Sequence, residues 1–130
     1  MNVIGVGVDL VDLDRVARLL ANKGEHAMQK FFTDSERAYL GTRDDPTGHA
    51  AARIAAKEAV YKALQSLPGA RAVGWRDIEV TRDEDGRPAI RLHGLAGRLA
   101  EKYGGLVVQV SLTHSATSAG AIAMVGRESG

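Results

Sequence analysis

Three short stretches carry side chains of the kind that handle metal ions and phosphate. Asp9 ends the run Gly5-Val6-Gly7-Val8-Asp9. Glu58 and Lys62 stand four apart in residues 53–64, Arg-Ile-Ala-Ala-Lys-Glu-Ala-Val-Tyr-Lys-Ala-Leu. Ser111-Leu112-Thr113-His114 closes a branched run near the C-terminus. Two carboxylates in a chain without cysteine suit a hard divalent cation of the magnesium type, which takes oxygen ligands and shares its shell with substrate phosphates and water. A lysine one turn from a carboxylate can meet the same phosphates as a point charge. The three stretches are therefore expected to meet around a magnesium ion and a pyrophosphate. Each also has a plainer reading. Glu58 and Lys62 make an ordinary solvated helix pair, Asp9 an N-cap for the helix that follows, and His114 a histidine at a hairpin end.

The elements that must position these groups follow from periodicity. Residues 3–10 alternate as a strand, with Val3, Gly5, Gly7 and Asp9 on one face and Ile4, Val6, Val8 and Leu10 on the other. Gly5 and Gly7 leave room for a close neighbour on the Asp9 face. Residues 13–22 form an amphipathic helix stopped by Lys23-Gly24, with Arg15 and Arg18 outward. Thr33 and Glu36 have capping-box spacing for a short helix over 34–40. The central helix spans about 49–66. One side carries Lys57, Glu58, Tyr61, Lys62 and Gln65, and the other Ala52, Ala55, Ala56, Ala59 and Ala63. A hairpin follows, with strands 77–82 and 88–92 around a turn at 83–86. Then come a helix over 94–103 and two strands, 106–113 and 119–125. Helices grouped among mostly antiparallel strands indicate an α+β fold, a small sheet packed on one long central helix and several short ones. Residues 1–130 are read as one domain. The long apolar strands at the C-terminus would leave open edges, so association with like chains is expected.

Composition narrows the function. A net charge of +1 and only six aromatic residues (two Phe, three Tyr, one Trp) argue against nucleic acid as the partner. No apolar run approaches the roughly 20 residues of a membrane helix. The absence of cysteine and of a basic leader fits a cytoplasmic protein.

Taken in order, Gly5-Val6-Gly7-Val8-Asp9-Leu10, Phe32-Thr33 with Glu36, Arg53-Ile54-Ala55-Ala56-Lys57-Glu58-Ala59 with Lys62-Ala63, Gly86-Arg87-Pro88, and Val110-Ser111-Leu112-Thr113-His114 span nearly the whole chain. This ordered set resembles the holo-[acyl-carrier-protein] synthase family of the 4′-phosphopantetheinyl transferase superfamily. The chain departs from the family in two places. Ser-Ala-Thr-Ser-Ala-Gly follows His114 where an aromatic residue is usual, and the loop 69–74 is poorer in glycine.

The resemblance implies transfer of phosphopantetheine from coenzyme A to a serine of an apo acyl carrier protein, with release of adenosine 3′,5′-bisphosphate. It also implies a homotrimer with active sites between subunits. Asp9, Glu58 and Lys62 would be catalytic, and Asp9 and Glu58 would hold magnesium. Arg53, Lys57, Gly86, Arg87, Pro88, Ser111, Thr113 and His114 would bind coenzyme A. The carrier would be that of fatty-acid synthesis. A transferase dedicated to polyketide or nonribosomal carriers, or a non-catalytic oligomer that binds a nucleotide or an acidic helix, would share most of these features. Carrier proteins are acidic, so Arg15 and Arg18 on the first helix are the expected dock. Arg18→Glu is expected to raise the Michaelis constant for carrier protein and leave that for coenzyme A unchanged; equal effects in steady-state kinetics would count against this dock.

Overall fold

Small residues set the centre of the fold. The computed structural model describes residues 1–128. Strand β1 (Asn2–Asp12) lies directly on helix α3 (Thr47–Leu64). A Cβ added to Gly5 would sit 1.8 Å from the Ala63 carbonyl oxygen, and one on Gly7 1.9 Å from that of Ala59. No other residue type fits there. On the helix side Ala55, Ala56, Ala59 and Ala63 of the predicted stripe are wholly buried, and so are Ala50 and Ala51, whereas Ala52, also expected there, is only half-buried. Two residues along β1 correspond to four back along α3, so the next step brings Asp9 level with the turn that carries Glu58.

Around this contact the chain runs through α1 (Leu13–Phe31), α2 (Asp34–Gly41), α3, β2 (Ile78–Arg82), β3 (Pro88–Leu92), α4 (Gly94–Lys102), β4 (Val107–His114) and β5 (Ser118–Arg127). Among the described residues all strand pairings are antiparallel, and they form two sheets rather than one: β1-β5-β4 and the hairpin β2-β3. The fold is α+β, as expected. The last strand is not at an edge. It lies in the middle of its sheet, and β1 and β4 are the edges.

Two local signals play out differently. The capping box is present: Thr33 Oγ1 accepts from Glu36 N at 3.2 Å, and Glu36 Oε1 accepts from Thr33 N at 2.9 Å. Gly24 breaks α1 but does not end it. Its backbone (φ 47°, ψ −120°) is a conformation open to glycine, and the chain resumes helix on the far side up to Phe31.

Side chains of the three-stranded sheet divide by register. Asp9 pairs with Ala121, which pairs with Leu112; these face α3. Val6, Val8, Leu10 and Ile122 face the other way and are 50–71% exposed. This continuous apolar face, more than the strand edges, is what a single chain leaves uncovered. Among the described residues no helix is long and apolar enough to cross a membrane.

Gly7→Ala is expected to lower stability by about 3 kcal/mol, because β1 or α3 must shift to admit the methyl group. A urea titration of wild type and variant measures it; an unchanged midpoint would mean that the close contact is not needed.

Candidate active site

Asp9 leaves β1 on the α3 side, and the helix places Glu58 and Lys62 next to it. Lys62 Nζ donates to Asp9 Oδ1 and to the Val8 carbonyl, both at 3.0 Å. The Asp9 side chain is only 13% exposed. Its second oxygen, Oδ2, is buried and has no hydrogen-bond partner. Glu58 lies against it. The Glu58 carboxyl is pushed up to about 7, first by burial, then by the Asp9 carboxylate beside it; Lys62 and Arg15 oppose the shift. Asp9 is therefore no helix cap: α1 begins at Leu13, after Asp12.

This donor set fits a divalent cation. Two carboxylates are pressed together, and a buried oxygen points at no donor. A cation between them would satisfy that oxygen and let both groups ionise. Among the described residues no third His, Asp or Glu joins them, so the rest of the shell would be water and substrate oxygens, as magnesium favours.

The remaining expected residues gather elsewhere. A groove of about 950 Å³ is bordered by Arg53, Arg87, Pro88, Ser111, Thr113 and His114. Gly86 holds the turn beside it, with φ at 82°. The two groups do not meet within one chain. Asp9 lies on one edge strand and Ser111 and Thr113 on the other, two strand spacings (about 10 Å) away. Register also points Ser111 and Thr113 to the opposite face.

Lys57 corrects the helix-face expectation. It is only 1% exposed. Its ammonium donates to Glu36 Oε1 at 2.7 Å, to the Trp75 carbonyl at 2.9 Å and to the Ile78 carbonyl. An ammonium has three N–H donors, and all are taken. None remains for a phosphate of coenzyme A. Glu36 in turn accepts from Val80 N at 3.0 Å, so the pair ties α2 and α3 to β2.

Sequence reasoning missed the charge around Tyr39. The guanidinium groups of Arg53, Arg43 and Arg82 lie 4.3, 4.8 and 5.5 Å from its ring centroid. None forms an ion pair among the described residues. Arg53 is 4% exposed with its Nε unpartnered. His49 packs on the same ring at 5.6 Å; burial, then the three arginines, hold it below the usual histidine range. The cluster draws on α2, the following loop, α3 and β2, so no local spacing marks it. Arg15 and Arg18 are both exposed on α1, and Arg15 lies near enough to act on Glu58.

The chain belongs to the 4′-phosphopantetheinyl transferase superfamily, whose sequence profile matches residues 5–116. Among its relatives, the holo-[acyl-carrier-protein] synthase of Syntrophus aciditrophicus is 41% identical over 121 residues, covering 93% of this chain and 94% of that protein. The crystal structure of holo-[acyl-carrier-protein] synthase from Neisseria meningitidis superposes with a TM-score of 0.86 at 27% identity, over 96% of this chain and 99% of the other. A Chronobacterium ammoniagenes synthase in complex with coenzyme A gives 0.80 at 34% identity, over 96% and 98%.

Lys57→Met would leave the Glu36 carboxylate buried and alone, and is expected to lower stability by about 3–5 kcal/mol. Denaturant unfolding checks this. An unchanged midpoint with a raised Michaelis constant for coenzyme A would instead make Lys57 a ligand.

Proposed function

We propose that this protein is an enzyme that transfers the 4′-phosphopantetheine group of coenzyme A to a serine of an apo acyl carrier protein. The observation that carries the reading is the contact between Asp9 and Glu58, with Asp9 Oδ2 buried and unpartnered beside Lys62. Relatives bearing the synthase name, and a related synthase in complex with coenzyme A, support the substrates.

Phosphoryl transfer asks for alignment and charge neutralisation more than covalent help. Asp9 and Glu58 would hold a magnesium ion, which when bound draws charge from the diphosphate oxygens. Lys62 has used two of its three N–H donors on Asp9 and Val8; the third would be free to meet the leaving phosphate. The carrier serine Oγ attacks the β-phosphorus. A serine–phosphorus bond forms, the bond from that phosphorus to the bridging oxygen breaks, and adenosine 3′,5′-bisphosphate departs. Glu58, directly or through a metal-bound water, receives the serine proton.

The adenosine bisphosphate end fits the cationic groove of Arg53, Arg87 and His114, with Gly86-Arg87-Pro88, Ser111 and Thr113 around it. That groove lies across the sheet from the carboxylates of the same chain, so a neighbouring subunit would supply it. A homotrimer that buries Val6, Val8, Leu10 and Ile122 would cover the apolar face and close the site in one association. The enzyme would act in the cytoplasm, on the carrier of fatty-acid synthesis, with Arg15 and Arg18 meeting the carrier.

Incubation with coenzyme A, magnesium and apo carrier, followed by mass spectrometry, is expected to show a gain of about 340 Da on the carrier, the mass of the phosphopantetheine arm. Glu58→Gln is expected to slow that gain by about 100-fold or more. No gain on any of several fatty-acid, polyketide and nonribosomal carriers would overturn the assignment.

A further inference from the structure

His49 stands in the first turn of α3 and borders the cationic groove. Its ring is half-buried and meets the Tyr39 ring edge-on, with the planes at 73°. Arg53, one turn further on, donates from Nη1 to the His49 carbonyl at 3.2 Å, so both side chains leave the helix on the groove side. Charge reaches His49 from every element around it. Tyr39 comes from α2, Arg43 and Asp45 from the loop that follows, Arg53 from α3 itself and Arg82 from β2. Asp83 and Arg87 border the groove from the hairpin turn, and His114 from β4. The two carboxylates are committed to backbone amides. Asp45 Oδ1 accepts from Thr47 N at 3.1 Å, and Asp83 Oδ1 from Asp85 N and Arg87 N, both at 2.9 Å. Positive charge prevails, and the start of α3 adds the positive end of its dipole.

We propose that His49 binds the phosphates of the coenzyme's adenosine end in its protonated form, so that filling the groove takes up a proton. The inference rests on the function proposed above, and it concerns a residue that the ordered motifs do not contain. In the free protein, burial and then Arg43, Arg53 and Arg82 hold the ring below the usual histidine range, so it is mainly neutral at pH 7. A bound polyanion reverses the sign of the charge beside it, which favours the imidazolium. The protonated ring then has two N–H donors instead of one, and a charge-assisted hydrogen bond to phosphate becomes available. Protonation and anion binding must strengthen each other by the same factor. The sign follows. Affinity for the anion rises as pH falls through the His49 value of the loaded protein, and levels off below the value of the free one.

Proton NMR of the histidine rings against pH tests this on the intact protein. His49→Phe keeps a ring against Tyr39 and identifies the His49 signal by its loss. With saturating adenosine 3′,5′-bisphosphate the midpoint of that signal is expected to move up by about one pH unit or more. Calorimetric titration with the same ligand reads the linked affinity. Between about pH 8 and about pH 6 the wild type is expected to tighten about threefold more than either His49→Phe or His49→Gln. The ligand's own protonation and that of His114 are common to all three proteins. A His49 midpoint that stays in place, or the same pH dependence of affinity in wild type and variants, would overturn the inference and leave the transferase reading standing. Failure of the bisphosphate to bind at either pH would overturn the groove assignment, and this inference with it. Binding with the expected proton uptake by a protein that modifies no carrier would overturn the transferase reading alone.

Discussion

The spacing between β1 and α3 governs everything built on them. Asp9 belongs to the strand and Glu58 to the helix, and no other element holds both. Only because Gly5 and Gly7 offer hydrogen where other residues carry carbon can the helix carbonyls of Ala59 and Ala63 come this near. A helix held off by larger side chains would separate the two carboxyls beyond the reach of one ion. The alanine stripe contributes little hydrophobic area per residue. What it provides is proximity, and the site depends on that more than on burial.

A second constraint sits on the far side of α3. The ion pair of Lys57 and Glu36 is sealed from water and fully hydrogen-bonded, through the Thr33 and Val80 amides on one side and the Trp75 and Ile78 carbonyls on the other. Such a pair adds little net stability over an apolar replacement, but it penalises any arrangement that breaks it. It therefore fixes how α2, β2 and the turn at Trp75 sit on the helix. Lys57 and Glu58 are adjacent in the chain and divide the work: one sets the inner face of α3 and the other presents the outer face to the solvent edge.

Much of this could be read from residue order, because it rests on local rules. Strand alternation put Asp9 on the face of Gly5 and Gly7, the alanine stripe marked the buried side of α3, and Thr33 with Glu36 announced the cap of α2. What escaped depends on long-range placement. A lysine at the border of a helix's polar face looks solvated unless a carboxylate from another element closes over it, and Glu36 does so from 21 residues away. The place of β5 between β1 and β4 is likewise set by pairing across the whole chain. Reading two strong strands in succession suggests a terminal hairpin with free edges; only the register reveals that the sheet divides the carboxyls of Asp9 and Glu58 from Ser111 and Thr113.

The arginines at Tyr39 carry a cost that folding alone does not recover. Three guanidinium groups converge on one phenol ring without a counter-ion among the described side chains, and one of them is almost wholly desolvated. A polyanion settling among them, as the proposed function requires, would relieve their mutual repulsion. Occupancy of the groove and thermal endurance of the fold would then be linked quantities, with the loaded protein the sturdier one.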